Sequence, residues 1–344
     1  MSFIIRVIHR LGIIELFLLF FLCVNLTSFW LYFIDKKRSH GKKMRISEKT
    51  LILFTLLLGG IGAFLGMFSL RHKTKKPKFR VAVTFGLVIA LIPIIHIGHS
   101  LTLDRIIRYV EIDFSSPNWP VELNGYRIGF MTDFHKIPHE RMAEVVDNLN
   151  ARELDLLLLG GDFSVVNSHY VGTLREISKT QTADGIFGVE GNHDNYTRLF
   201  EAKKNYGIGI LDNDGLRIRD GFYLAGIRDF WRESANIGKA LEYVDTDAFV
   251  LLVTHNPDAL MKESTVGIDL VVAGHTHGGQ ISLFGFPIYL LLGSVSDYRT
   301  RFSNGFNTCN DGVLVYTSKG IGDYYNWPRI FARPEVIIFT MFSE

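Results

Sequence analysis

Three apolar runs in the first hundred residues limit what this chain can fold into. They lie at about 11–34 (uncharged from residue 16), 50–70 and 81–103. Each is long enough to cross a bilayer as a helix, which takes about 20 residues. Charged DKKR at 35–38 follows the first run where a cleavable signal would need small residues, so it reads as a retained anchor. Together the runs define a transmembrane helical domain over 1–103. Charge sets that domain apart from the rest. Residues 1–101 carry 15 Lys/Arg against Glu15, Asp35 and Glu48, a net of 15 − 3 = +12. Residues 102–344 carry the other 22 basic and 32 acidic residues, a net of 22 − 32 = −10.

Loop 35–49 holds seven Lys/Arg and loop 71–80 holds six. Basic loops favour the cytoplasm, yet a 50–70 segment that spans must put them on opposite faces. The simpler expectation is a plain span. The alternative is a hairpin that breaks at Gly59-Gly60-x-Gly62 and returns to the same face, its irregular backbone covered by protein. Weighed together, the two readings put the carboxyl-terminal domain outside the cytoplasm by a small margin. His96 and His99 share a helix face and read as packing or interfacial residues. Cys23 and Cys309 lie in different domains, which argues against a disulfide or a cysteine metal site.

From 104 to 344 short apolar runs alternate with amphipathic stretches. YRIGFM (126–131), LDLLLLG (154–160), GIFGVEG (185–191), FYLAGI (222–227), AFVLLV (248–253), DLVVAG (269–274), GVLVYT (312–317) and EVIIFTM (335–341) read as buried strands. Helical spacing covers 139–151, 169–180 and 195–206. The pattern is that of an α/β domain with helices over its sheets.

Metal-capable side chains follow five of these strands: Asp133 and His135, then Asp162, then Asn192, His193 and Asp194, then His255, then His275 and His277. In α/β sheets ligands bind beyond the carboxyl ends of the strands. One such residue is most often a turn or cap, and a lone HxH such as GHTHGGQ (274–280) is weak evidence. Five successive strand ends of this kind point to a metal site. Oxygen and imidazole donors without thiolates suit manganese, iron or zinc.

The series DxH, GD, GNHD, TH and GHTH resembles the calcineurin-like metallophosphoesterases over roughly 125–343. GHTHGGQI and KGIGDYYNWPRIFARPEVIIFTM are similar to a bacterial membrane-associated branch, which implies the bacterial cytoplasmic membrane. The resemblance implies a two-sheet sandwich flanked by helices, with two divalent metal ions at its edge. Asp133, His135 and His277 would hold one ion, Asn192, His255 and His275 the other, and Asp162 would bridge them. His193 would be the catalytic histidine, and Asp194 a turn or supporting residue. Two positions depart from the pattern: Val165 replaces an acid often found in GDxxD, and Lys319 stands where arginine is frequent. Residues 28–80, through DKKRSHGKKMRISE, LLLGGIGAFLGM and RHKTKKPKF, resemble a small bacterial membrane family of unassigned function.

These readings imply a membrane-anchored dinuclear phosphoesterase or pyrophosphohydrolase. Its substrate would carry phosphate and be lipid-linked or envelope-borne. Some members of the branch hydrolyse UDP-diacylglucosamine, which would need a cytoplasmic active site. A nucleotide or nucleic-acid phosphodiesterase is the lesser alternative, because a domain of net −10 is a poor partner for polyanions. A non-catalytic membrane adaptor would show a missing ligand, and all the implied ligand positions are filled. Last, ISLFGFPIYLLLGSV (281–295) follows the ligand turn without a charge. A buried strand and turn is the first expectation for it, and an exposed apolar patch that admits a lipid chain is the second.

Overall fold

The computed structural model describes residues 13–344 apart from 42, 165–166, 196–198, 200–203, 233–234, 246, 288–295, 299 and 324–327. The chain divides into two compact units, Met1–His99 and Ser100–Glu344.

In the first unit, two stretches among the described residues are long and apolar enough to cross a bilayer, Glu15–Ser39 within helix α1 (Ile13–Ser39) and Pro77–Arg105, which begins with helix α4 (Pro77–Leu101), with mean hydropathies of 2.1 and 2.4. Their apolar side chains point outward as well as inward: Leu19, Leu22 and Trp30 of α1 and Phe85 and Val88 of α4 are exposed. Apolar surface all round a helix suits lipid.

The middle run does not form one span. It folds as α2 (Glu48–Leu56) and α3 (Gly60–Ser69), with Leu58 in the left-handed region at the break. At 1.5 Å per residue these helices are about 14 and 15 Å long, half of a hydrocarbon core of about 30 Å. Asn25 of α1 serves the broken backbone. Its Nδ2 donates to the Leu58 carbonyl at 3.0 Å, and its Oδ1 accepts from the Gly62 N–H at 2.9 Å. Glycine lets the helices meet there, since a Cβ on Gly62 would stand 1.9 Å from the Asn25 carbonyl oxygen and one on Gly60 2.0 Å from that of Gly86.

Ion pairs join the far ends of α2 and α3. Buried Asp35 binds Arg45 at 2.8 Å, His72 at 2.8 Å and Lys73 at 3.3 Å. Glu48 binds Lys73 at 2.9 Å and Lys76 at 2.6 Å, and also Lys78. The three lysines hold the Glu48 carboxyl far below its usual range. Loops 35–49 and 71–80 are therefore one cluster at one end of the unit. The plain span expected for 50–70 is not what folds, because a polar side chain and four glycines (59, 60, 62 and 86) let the helix break and pack.

The second unit holds two six-stranded sheets. One has the order β1 (Arg108–Ser116), β12 (Glu335–Ser343), β2 (Tyr126–Met131), β3 (Leu156–Leu159), β4 (Ile186–Gly188), β5 (Gly209–Ile210). The other runs β10 (Gly305–Thr308), β11 (Leu314–Thr317), β9 (Leu270–Ala273), β8 (Phe249–Thr254), β7 (Phe222–Gly226), β6 (Asp214–Arg219). Phe130, Leu156 and Leu158 of one sheet and Leu224, Leu251 and Val272 of the other share a buried core. Helices α5 (His139–Asn150) and α6 (Asn167–Ile177) cover the outer face of the first sheet. This is the two-sheet sandwich flanked by helices. Each of the eight expected strands is present. Strands β1, β5, β6 and β10 were not expected, because β1 and β6 lie at sheet edges and mix charged with apolar side chains. The helix expected over 195–206 falls largely outside the described residues.

In the first sheet β2, β3 and β4 are parallel, and in the second β7, β8, β9 and β11 are parallel. The loops that leave their carboxyl ends build the site.

Candidate metal centre

Asp133, His135, Asp162, His275 and His277 have φ of 56°, 41°, 56°, 70° and 51°. Five non-glycine residues in the left-handed region mark backbone held where it would not relax alone. Close glycines make these turns fit. A Cβ on Gly191 would stand 2.3 Å from Asp162 Oδ1, and one on Gly274 would stand 2.2 Å from Thr132 Oγ1 and 2.7 Å from Asp133 Oδ2.

Donor atoms gather in two groups. In the first, His135 Nε2 lies 2.9 Å from His277 Nε2, which lies 3.4 Å from Asp133 Oδ1. In the second, His275 Nδ1 is 3.0 Å from Asn192 Oδ1 and 3.2 Å from His255 Nε2, which is itself 3.0 Å from Asn192 Oδ1. Asp162 Oδ2 joins the groups, at 3.6 Å from His135 Nε2 and 3.4 Å from His255 Nε2. Donors about 2.1 Å from one ion stand about 3 Å apart when they meet at right angles. Two groups, Asp133–His135–His277 and Asp133–Asp162–His255, are therefore suited to two metal ions. All seven side chains implied by the sequence converge here, and His193 is beside them, its ring centroid 5.6 Å from that of His135.

Hydrogen bonds aim the donors. His255 Nδ1–H donates to the Gly160 carbonyl at 2.7 Å, which leaves its Nε2 lone pair free to ligate. The Asp133 carboxylate accepts from Thr132 Oγ1 at 3.1 Å and from the His275 N–H at 3.0 Å. Asp194 is no part of either group. Its carboxylate accepts the N–H of Asp162 at 2.8 Å, of Phe163 at 2.9 Å and of Gly191 at 2.9 Å, so it ties the two turns together.

Without a cation the charges of the site conflict. Burial pushes the Asp133 carboxyl up to about 6 and the His135 imidazole down to about 4. Burial, then the Asp162 charge, pushes Asp194 up to about 8. For His255 burial acts downward, but the Asp162 carboxylate outweighs it and raises the ring to about 10. A divalent cation favours ionised carboxylates and neutral imidazoles, and so resolves the conflict.

Residues 126–279 match the family model described as calcineurin-like phosphoesterase. The chain carries a calcineurin-like phosphoesterase domain. Residues 25–79 match a second model, a protein family of unknown function (DUF1294). An uncharacterized metallophosphoesterase of Campylobacter jejuni is 26% identical over 310 residues, covering 85% of this chain and 78% of its own. A phosphodiesterase of Escherichia coli is 28% identical over 236 residues, covering 63% of this chain and 82% of its own. A transmembrane protein with metallophosphoesterase domain from Danio rerio is 26% identical over 253 residues, covering 67% of this chain and 56% of its own. The domain makes this chain a metal-dependent phosphoester hydrolase with residue groups suited to two metals.

Three contacts around the phosphoesterase site were not read from the sequence. Arg329 is buried, donates to the carbonyls of Lys319 at 2.8 Å and Ala332 at 3.0 Å, and brings Nη2 within 3.4 Å of His277 Nδ1. Its only sequence signal was the RIFARP stretch. Trp231 packs edge-on to His275 with ring centroids 5.0 Å apart. Lys319 is engaged by Glu335, at 3.6 Å between side chains. Val165 lies outside the described residues, as do 288–295 of the apolar segment. The first expectation for that segment fails over 283–286: Leu283, Phe284 and Phe286 are exposed, on a turn closed by Leu283 and Phe286 backbone bonds of 2.8 and 2.9 Å. The cysteines are free, and Cys309 is buried.

Proposed function

We propose that the chain hydrolyses a phosphodiester or pyrophosphate bond in a lipid-linked or envelope-borne substrate, with its catalytic domain outside the cytoplasm. The carrying observation is Asp162 Oδ2, which faces His135 at 3.6 Å and His255 at 3.4 Å from two different sheets. Asp133, His135 and His277 would hold one ion, Asn192, His255 and His275 the other, and Asp162 would serve both. Two divalent ions there, of manganese, iron or zinc, would lower the pKa of water and offset phosphate charge. Asp133 and Asp162 return two of their four charges, and the surplus favours an anionic substrate. His193 is half-buried, and its N–H donates to Asp162 Oδ1 at 2.8 Å, which fixes the backbone and lets the ring face the substrate. It protonates the leaving oxygen as general acid. The E. coli relative's description as a phosphodiesterase supports the bond type.

The lipid part rests on the exposed Leu283, Phe284 and Phe286 beside the GHTHGGQ turn. The membrane side rests on the α2–α3 hairpin. It brings twelve of the described Lys/Arg (six in 35–49, six in 71–80) to one end, and such loops favour the cytoplasm. A span by α4 then leads the chain to the other face.

Protein purified in detergent, stripped and reloaded with each metal, tests the reading. Diesters or lipid pyrophosphates should be cleaved only with metal present. Full activity after exhaustive chelation, checked by elemental analysis, would overturn it. Replacing Phe284 and Phe286 with serine should lower efficiency on lipid substrates more than on a soluble aryl phosphate.

A further inference from the structure

A cavity opens beside the metal centre, of about 450 Å3 and lined by Phe230, Trp231, Ala235, Lys262 and Glu263. Two loops build it. Phe230 and Trp231 follow β7, Lys262 and Glu263 follow β8, and both strands end at the site. Phe230 is seated on the outer core of the second sheet, with Lys262 Nζ 4.5 Å from its ring centroid. Trp231 puts one edge against His275, yet 47% of it stays exposed. Burying that much indole is favourable, and a folded chain leaves it open at a reactive centre for few structural reasons.

We infer that this cavity is a subsite for the substituent that stays on phosphorus, and that it takes a planar ring with hydrogen-bonding edges, of the nucleobase kind. The inference rests on the phosphoesterase reading above. Position decides which substituent is meant. His193 stands by His135 in the first donor group, at 5.6 Å, whereas Trp231 stands by His275 in the second, at 5.0 Å. The proton donor marks the leaving oxygen. In hydrolysis a water-derived oxygen bonds to phosphorus, the bond to the leaving oxygen breaks, and that oxygen takes a proton. The other ester stays on the product, and it is this group that reaches Trp231. Chemistry decides the class. The indole offers a stacking face, Lys262 a donor and Glu263 an acceptor. A saturated chain would desolvate both charges without pairing either, while a ring with donor and acceptor edges pairs them. The volume is that of ordinary small-molecule sites.

The test keeps nitrophenolate as leaving group and varies only the retained group: none (4-nitrophenyl phosphate), methyl, phenyl, and thymidine 5′-yl. The metal-loaded enzyme should prefer phenyl and thymidyl to methyl. In Trp231→Ala the kcat/KM for these two, relative to the monoester, should fall about tenfold or more, mainly through KM. Trp231→Phe should restore part of it, and Lys262→Ala should affect thymidyl more than phenyl. Equal falls for methyl, phenyl and thymidyl, or loss of bound metal in Trp231→Ala, would show that Trp231 only braces His275 and would overturn the subsite. Calorimetry with thymidine 5′-monophosphate against methyl phosphate decides the matter without turnover. Binding that depends on the ring and on Trp231 supports the subsite even if all four esters resist hydrolysis, a result that would instead sink the proposed function. Equal binding of the two overturns the subsite.

Discussion

Asp162 brings one oxygen before histidines that belong to different sheets, so its removal should be felt on both sides of the site. Asp162→Asn should weaken both metals, whereas Asp133→Asn should weaken chiefly one. Metal content by elemental analysis after dialysis separates the two, and equal stoichiometry in both variants would refute the bridge. The His193 backbone N–H donates to Asp162 Oδ1 at 2.8 Å, and that bond does not depend on the side chain. His193→Gln should therefore retain metal and lose about a hundredfold or more in turnover. The loss should be smallest for nitrophenolate, which needs little protonation. An equal loss across leaving groups would argue for phosphate positioning in place of acid catalysis. Gly274→Ala places a methyl 2.2 Å from Thr132 Oγ1 and 2.7 Å from Asp133 Oδ2, so it should lose metal affinity by displacing the Asp133 carboxylate, with every proposed ligand residue still present.

Among the elements, the α2–α3 hairpin depends on one polar side chain. Asn25 satisfies the Leu58 carbonyl and the Gly62 N–H at 3.0 and 2.9 Å. Asn25→Leu leaves both without that partner, at about 1–3 kcal/mol each. Thermal unfolding in detergent should show a lowered melting temperature, and an unchanged one would mean that the break needs no such support. Gly62→Val should be more severe, because its Cβ would enter the backbone of α1. On the catalytic side the strands were readable because each is a short apolar run that ends in polar turn residues. The edge strands were not. The burial pattern of β1 alternates between exposed and partly buried, so its sequence carries no continuous apolar signal.

The whole molecule joins a unit of net 15 − 3 = +12 to one of net 22 − 32 = −10, dividing near residue 100. Cysteine labelling of intact cells tests the proposed arrangement. With Cys23 and Cys309 replaced by alanine, single cysteines at Lys43, Lys75 and Ser343 report the two loops and the carboxyl end. Lys43 and Lys75 should share one protection pattern and Ser343 should show the opposite one. Labelling of Lys43 and Lys75 from opposite faces would eliminate the hairpin. Local order along the chain determined much of this protein. Apolar runs marked the apolar helical unit, and DxH, GD, GNHD, TH and GHTH marked the candidate ligands, because each depends on residues adjacent in sequence. Only the tertiary structure decided the rest. It set Asp162 between two sheets, Asn25 against a backbone 33 residues away, and Trp231 beside His275. Such contacts arise where separate elements meet in the fold, and no local pattern encodes which of them will meet.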